Sequence, residues 1–141
     1  MAVEEPATVI DLTDFLPEDE ATIEIASARK QPTGWRVTLA GPGHAASVAV
    51  ADDILQEQLD RRREMEKGHV YGLHLDADVE REKSVARTVR RILGWSPVRI
   101  GGEVIGFSPD TARALLARPD MAWALRQIAD ALADDRAFAP Q

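Results

Sequence analysis

Between Gly94 and Trp123 the stretch GWSPVRIGGEVIGFSPDTARALLARPDMAW places Gly94, Pro97, Gly101, Gly102, Gly106, Pro109 and Pro119 at short intervals. Proline removes a backbone donor and glycine opens positive φ, so every element in this quarter of the chain must be short. Each breaker has a local reading. Gly94 ends a helix that runs from Asp78 to Leu93, with Val85, Val89, Ile92 and Leu93 at helical spacing and a left-handed glycine cap. Gly101-Gly102 forms the turn of a small hairpin in VRIGGEVIGF. Ser108 caps the next helix with Pro109 in its first turn, and Ala112, Leu115 and Leu116 form its buried side. Pro119 ends that helix or opens the next, in which Met121, Leu125, Ile128 and Leu132 make an i, i+4, i+7, i+11 stripe as far as Asp135.

Upstream, Thr22–Ile25 and Trp35–Leu39 alternate apolar with polar residues around the loop SARKQPTG. They predict an antiparallel hairpin with Ile23, Ile25, Trp35, Val37 and Leu39 on one face, which must lie against helices or a further strand. GPGH, Gly41 to His44, breaks the strand. A helix follows, with Val48, Ala51, Leu55 and Leu59 as its apolar stripe and charge all round from Arg61 to Arg63. GHVYGLHLDADV is ambiguous between a loop and a short extended run. The fold expected is therefore α+β: a helix-dominated single domain with about four helices, an N-terminal β-hairpin and a second short hairpin. It spans residues 21–141, preceded by an acidic arm at 1–20.

That arm begins a run from Met1 to Glu24 that holds Glu4, Glu5, Asp11, Asp14, Glu18, Asp19, Glu20 and Glu24 with no Lys or Arg. It reads as a solvated, partly flexible segment, or as one that docks on a basic face through Val9, Ile10, Leu12, Phe15 and Leu16. Arg81, Lys83, Arg87, Arg90, Arg91 and Arg99 oppose it with only Glu82 among them, so the charge map is split. The arm is a candidate cover for this basic helix or for a binding groove.

The 141 residues are 45% hydrophobic and 29% charged and carry a formal charge of −7, the composition of a folded domain without an affinity for phosphate backbones. No cysteine is present, which removes thiolate chemistry and disulfides. The start MAVEEPATVIDL lacks a basic, apolar leader and no long apolar run follows, so a cytoplasmic protein with no membrane partner is expected.

Chemistry finds little support. His74, Asp76 and Asp78 are metal-competent but alternate along the chain; the simpler reading is a polar loop leading into a helix cap at Asp76 or Asp78. Ser84, Ser96 and Ser108 lie in no nucleophile elbow, neither GPG nor GG forms a phosphate loop, and Arg61 to Arg63 read as a solvated helix face. No enzyme, cofactor, metal or nucleic-acid partner is expected. The aromatic residues Trp35, Trp95, Phe107, Trp123 and Phe138 form either a core cluster or, in part, exposed anchors.

LGWSPVRIGGEVIGFSPDTARALLARPDMAW, followed by DRAFA, resembles the C-terminal half of small tail assembly chaperones of long-tailed bacteriophages. The resemblance rests on Leu93, Gly94, Trp95, Gly102, Glu103, Phe107, Ser108, Ala112, Leu115, Leu116, Pro119, Trp123, Arg136 and Phe138. DLTDFLPEDEATIEI and GWRVTLAGPGH, with the bend at Leu39 to Pro42, are similar to the front of such proteins. Ala45 to Glu82 carries no matching motif, and Thr111 and Arg118 depart from the pattern. The resemblance implies a holdase for the tape measure protein, with the tail tube protein as a further partner, in the host cytoplasm and absent from the mature virion. A minor structural protein of the virion, a tail or neck subunit, is the alternative. The expected groove lies between the last two helices and the Trp95 to Phe107 hairpin, with Trp95, Phe107, Leu116, Trp123 and Phe138 as partner-binding residues and Leu116 and Trp123 near the floor.

Overall fold

Strands β1 (Glu20–Ala26) and β2 (Pro32–Ala40) pair antiparallel, with Glu20 opposite Ala40 and Ile23 opposite Val37. Alternation has the expected result: Ile25, Trp35, Val37 and Leu39 are buried and Ile23 packs beside them. The computed structural model describes residues 9–68 and 76–140, so residues 69–75 of the ambiguous run GHVYGLHLDADV and the first eight residues lie outside the described residues.

A third strand, β3 (Ile92–Trp95), pairs antiparallel with β2 and makes β2 the central strand. This corrects the helix expected to reach Leu93. Helix α2 (Ala77–Arg90) stops three residues earlier, and Gly94 lies opposite Thr38 in the sheet, without the positive φ of a helix cap. The reason is backbone pairing. A buried central strand needs partners on both edges, and the continued spacing of Val85, Val89 and Ile92 cannot supply them. The chain turns over at Arg91, whose carbonyl accepts from the Ala40 amide at 2.8 Å, and runs on as a strand. Asp76 caps α2 by accepting from the Asp78 amide at 2.9 Å, one of the two cap positions expected.

Strands β4 (Val98–Ile100) and β5 (Glu103–Ile105) form the second hairpin, with Ile100 opposite Glu103. Gly101 at φ 58° and Gly102 at φ 84° fill both left-handed positions of its two-residue turn. Helix α3 (Pro109–Leu116) opens on a reciprocal cap: Ser108 accepts from the Thr111 amide, and the Thr111 hydroxyl accepts from the Ser108 amide. A 3-10 turn, Pro119–Met121, leads into α4 (Ala122–Ala133), and a second, Asp135–Phe138, follows it. Ala112, Leu115, Leu116, Met121, Ala124, Ile128 and Phe138 join the sheet's inner face and Val85 and Val89 of α2 in one core. The architecture is α+β, with four α-helices and two small antiparallel sheets among the described residues. No described helix is long and apolar enough to cross a membrane.

Helix α1 (Ala45–Glu66) reverses the expected orientation. The stripe predicted to be buried faces outward, with Val48 47%, Leu55 54% and Leu59 37% exposed, while Ser47 and Val50 are buried instead. Charge decides this. Glu57 binds Arg87 of α2 and lies 3.4 Å from Lys83, Asp53 binds Arg90, and Arg61 reaches Glu80 at 3.1 Å. The face that carries Asp53, Glu57 and Arg61 turns toward α2, where its two acids meet Lys83, Arg87 and Arg90 and its arginine meets Glu80. At the near end His44 caps α1 by accepting from the Ala46 amide at 3.0 Å. Arg91 binds the Ser47 hydroxyl at 2.8 Å and the Ala40 carbonyl at 3.1 Å, and partial burial lowers its pKa from the ordinary arginine value.

Candidate functional site

The start of β2, strand β4 and the Pro119–Met121 turn with the beginning of α4 enclose an open groove of about 570 Å³. Its apolar lining comes from Trp35, Val98, Ile100, Met121 and Trp123. Short elements make this possible. The glycine turn lets β4 return on itself at once, and Pro119 redirects the chain so that Met121 enters the core while Trp123 faces the groove. The Trp123 indole N–H donates to the Asp120 carbonyl at 2.8 Å, which holds the ring against the turn.

Charge sits at the rim. Arg118 grips Asp120 with two hydrogen bonds, 2.9 Å from Nε and 2.7 Å from a terminal nitrogen. That hydrogen bonding lowers the Asp120 pKa and raises that of Arg118, so the pair stays ionised across the physiological range. Arg99 also lines the groove, and its guanidinium donates to the Gly102 carbonyl.

Behind the floor runs an aromatic spine. Trp35 and Trp95 meet edge to face at 5.3 Å, and Trp95 meets Phe107 in the same manner at 5.2 Å. The indole N–H groups of Trp35 and Trp95 are buried without an acceptor among the described residues. These rings are held by packing alone.

The five expected partner-binding residues thus have different places. Trp123 lines the groove. Phe107 is half-buried and, with Trp95, backs the floor through Trp35. Leu116 and Phe138 are 1% and 2% exposed and lie in the core, so neither offers surface to a partner in this conformation. The groove also contains Trp35, Val98, Ile100 and Met121, while α3, expected as one of its walls, lines none of it. Strand alternation assigns Trp35 to the core, and only the pairing of β2 with β3 brings it beside β4.

Elsewhere, polar side chains serve the backbone. The Ser96 hydroxyl accepts from the Arg36 amide at 3.0 Å, and Ser108 caps α3. Arg61 is bound between Glu57 and Glu80, whereas Arg62 is exposed. No metal-competent cluster occurs among the described residues, to which His74 does not belong.

The described part of the acidic arm lies neither in the groove nor on α2. The Glu18 amide donates to the Phe138 carbonyl at 2.7 Å, the Gly41 amide donates to the Asp19 carbonyl at 2.7 Å, and Phe15 and Pro17 line a hollow with Arg136 and Pro140. Of the α2 cations, Lys83, Arg87 and Arg90 meet acids of α1, and Arg81 pairs with Asp78 of its own helix.

No family model, curated protein or solved structure matches this chain.

Proposed function

We propose that this chain is a tail assembly chaperone of a long-tailed bacteriophage, which holds the tape measure protein in soluble form in the host cytoplasm until the tail tube assembles around it. The order of motifs from Leu93 to Phe138 supports this reading, and the groove beside Trp123 carries it. The groove is open, its walls are apolar and its rim bears the Arg118–Asp120 pair and Arg99. An amphipathic helix presents side chains at i, i+3 or i+4 and i+7, and such a slot receives one or two of them while its charged rim meets the polar flank. A formal charge of −7 keeps the complex of holdase and client dispersed.

Co-expression of a tape measure gene with the intact chain, and with Trp123→Ala, tests the proposal. The intact chain is expected to bring the client into the soluble fraction and Trp123→Ala to lose most of that effect while keeping its own cooperative melting transition. Client solubility that is the same with either chain, or with none, overturns it. Many copies of the protein in purified particles would favour the virion-subunit reading instead.

A further inference from the structure

The outward face of α1 has no partner among the described residues, and its sequence specifies what would cover it. Val48, Asp52, Leu55, Leu59, Arg62 and Glu66 follow one another at spacings of 4, 3, 4, 3 and 4 residues and are all exposed. The spacing is that of a coiled-coil seam, with Val48, Leu55 and Leu59 as its apolar positions and Asp52, Arg62 and Glu66 as its charged ones. Ala51, Gln58 and Met65 flank it, exposed as well.

Charge along the seam selects the occupant. The first half of α1 carries Asp52 and the second half Arg62, and neither has an ionic partner among the described residues. Their neighbours Asp53 and Arg61 are already engaged by α2. If two copies of α1 pair antiparallel about a two-fold axis level with Glu57, Leu55 of one meets Leu59 of the other. In the same register Asp52 meets Arg62 on both sides of that apolar centre, and Val48 meets Glu66 at the two ends. A parallel pair would set Asp52 against Asp52 and Arg62 against Arg62, which repel. The helix is 22 residues long, about 33 Å at 1.5 Å per residue, which gives room for three seam layers on each side of the axis. We infer that the chain forms an antiparallel homodimer through the outer face of α1, with a Leu55–Leu59 centre flanked by two Asp52–Arg62 pairs. The groove at Trp123 is lined by other elements and stays open in each copy.

Sedimentation of the intact chain at high micromolar concentration is expected to give twice the monomer mass of 15.5 kDa. Leu55→Glu with Leu59→Glu should give a monomer with unchanged helicity, since both residues are exposed within one copy. Asp52→Arg alone, or Arg62→Asp alone, brings like charges together and should weaken self-association by about tenfold or more. Mixing these two singly substituted chains restores opposite charge across both layers that pair positions 52 and 62, so a heterodimer should form. A monomer at high concentration overturns the proposal and leaves the outer face to another protein. So does a dimer that survives Leu55→Glu with Leu59→Glu, or a mixture of the two charge variants that fails to associate. None of these outcomes touches the groove or the holdase reading.

Discussion

The two sides of α2 are held by different forces. Toward the sheet, Val85 and Val89 enter the core with Leu116 and Ile128; toward α1, Lys83, Arg87 and Arg90 meet Glu57 and Asp53. Apolar burial has no charge for salt to screen or for pH to titrate, whereas partly exposed ion pairs are screened by one and titrated by the other. The contrast explains how α1 can be well placed and still present leucines to solvent. Its orientation is a matter of charge, so its apolar side is left over for another contact.

Matched substitutions break the comparison at its strongest point. Leu116→Ala, in the core, should cost about 2–5 kcal/mol in denaturant unfolding because it removes buried methyl groups and leaves a cavity. Gln127→Ala comes next. Its amide accepts from the Ala26 N–H and donates to the Ala26 carbonyl, both at 2.8 Å, and so ties the end of β1 to α4. Its loss should cost about 1–3 kcal/mol and raise amide exchange at Ala26 above that of β2.

Gly41→Ala tests the seam between sheet and arm. A Cβ there would lie 2.1 Å from the Glu18 carbonyl oxygen, so the backbones must separate and the Gly41 to Asp19 hydrogen bond should be lost. We expect a cost of about 1–3 kcal/mol and faster proteolysis before Glu20. Unchanged cleavage would mean that the arm does not rest on this glycine.

The ionic side should respond more weakly and to different variables. The hydrogen bond from Arg87, then that from Lys83, holds the Glu57 carboxyl below its ordinary value of 4.5 despite desolvation. A carboxylate depressed in the folded state contributes stability above its unfolded pKa and loses it as pH falls through the folded one. Acid below pH 4.5 should therefore loosen α1 from α2 before the core unfolds. Glu57→Gln should mimic this at neutral pH at a cost of about 1 kcal/mol or less, read as faster amide exchange confined to α1. The smallest effect belongs to Leu55→Ala in dilute solution, about 0.5 kcal/mol at most, in contrast to the same substitution at Leu116.

Elements whose cause is local were legible in the sequence. The Gly101-Gly102 turn, the Ser108 cap with Pro109, the Asp76 cap and the alternation of Ile25, Trp35, Val37 and Leu39 each follow from a few adjacent residues. Two features depend on distant partners and were not. Ile92 continues a helical spacing but is claimed by the open edge of β2. Val48, Leu55 and Leu59 form an amphipathic stripe, yet Glu57 and Asp53 on the opposite face are drawn to cations more than twenty residues away. The groove was legible in part. Trp123 and the second hairpin were expected there, whereas Trp35 and Met121 reach it only through the pairing of β2 with β3 and the turn at Pro119.

Amide exchange of the intact chain, alone and with a soluble segment of the tape measure protein, separates the two surfaces in one measurement. Client binding is predicted to slow exchange from Val98 to Ile100 and from Arg118 to Trp123 and to leave the outer face of α1 unchanged. Protection confined to α1, or protection nowhere, would contradict the assignment of the client to the groove.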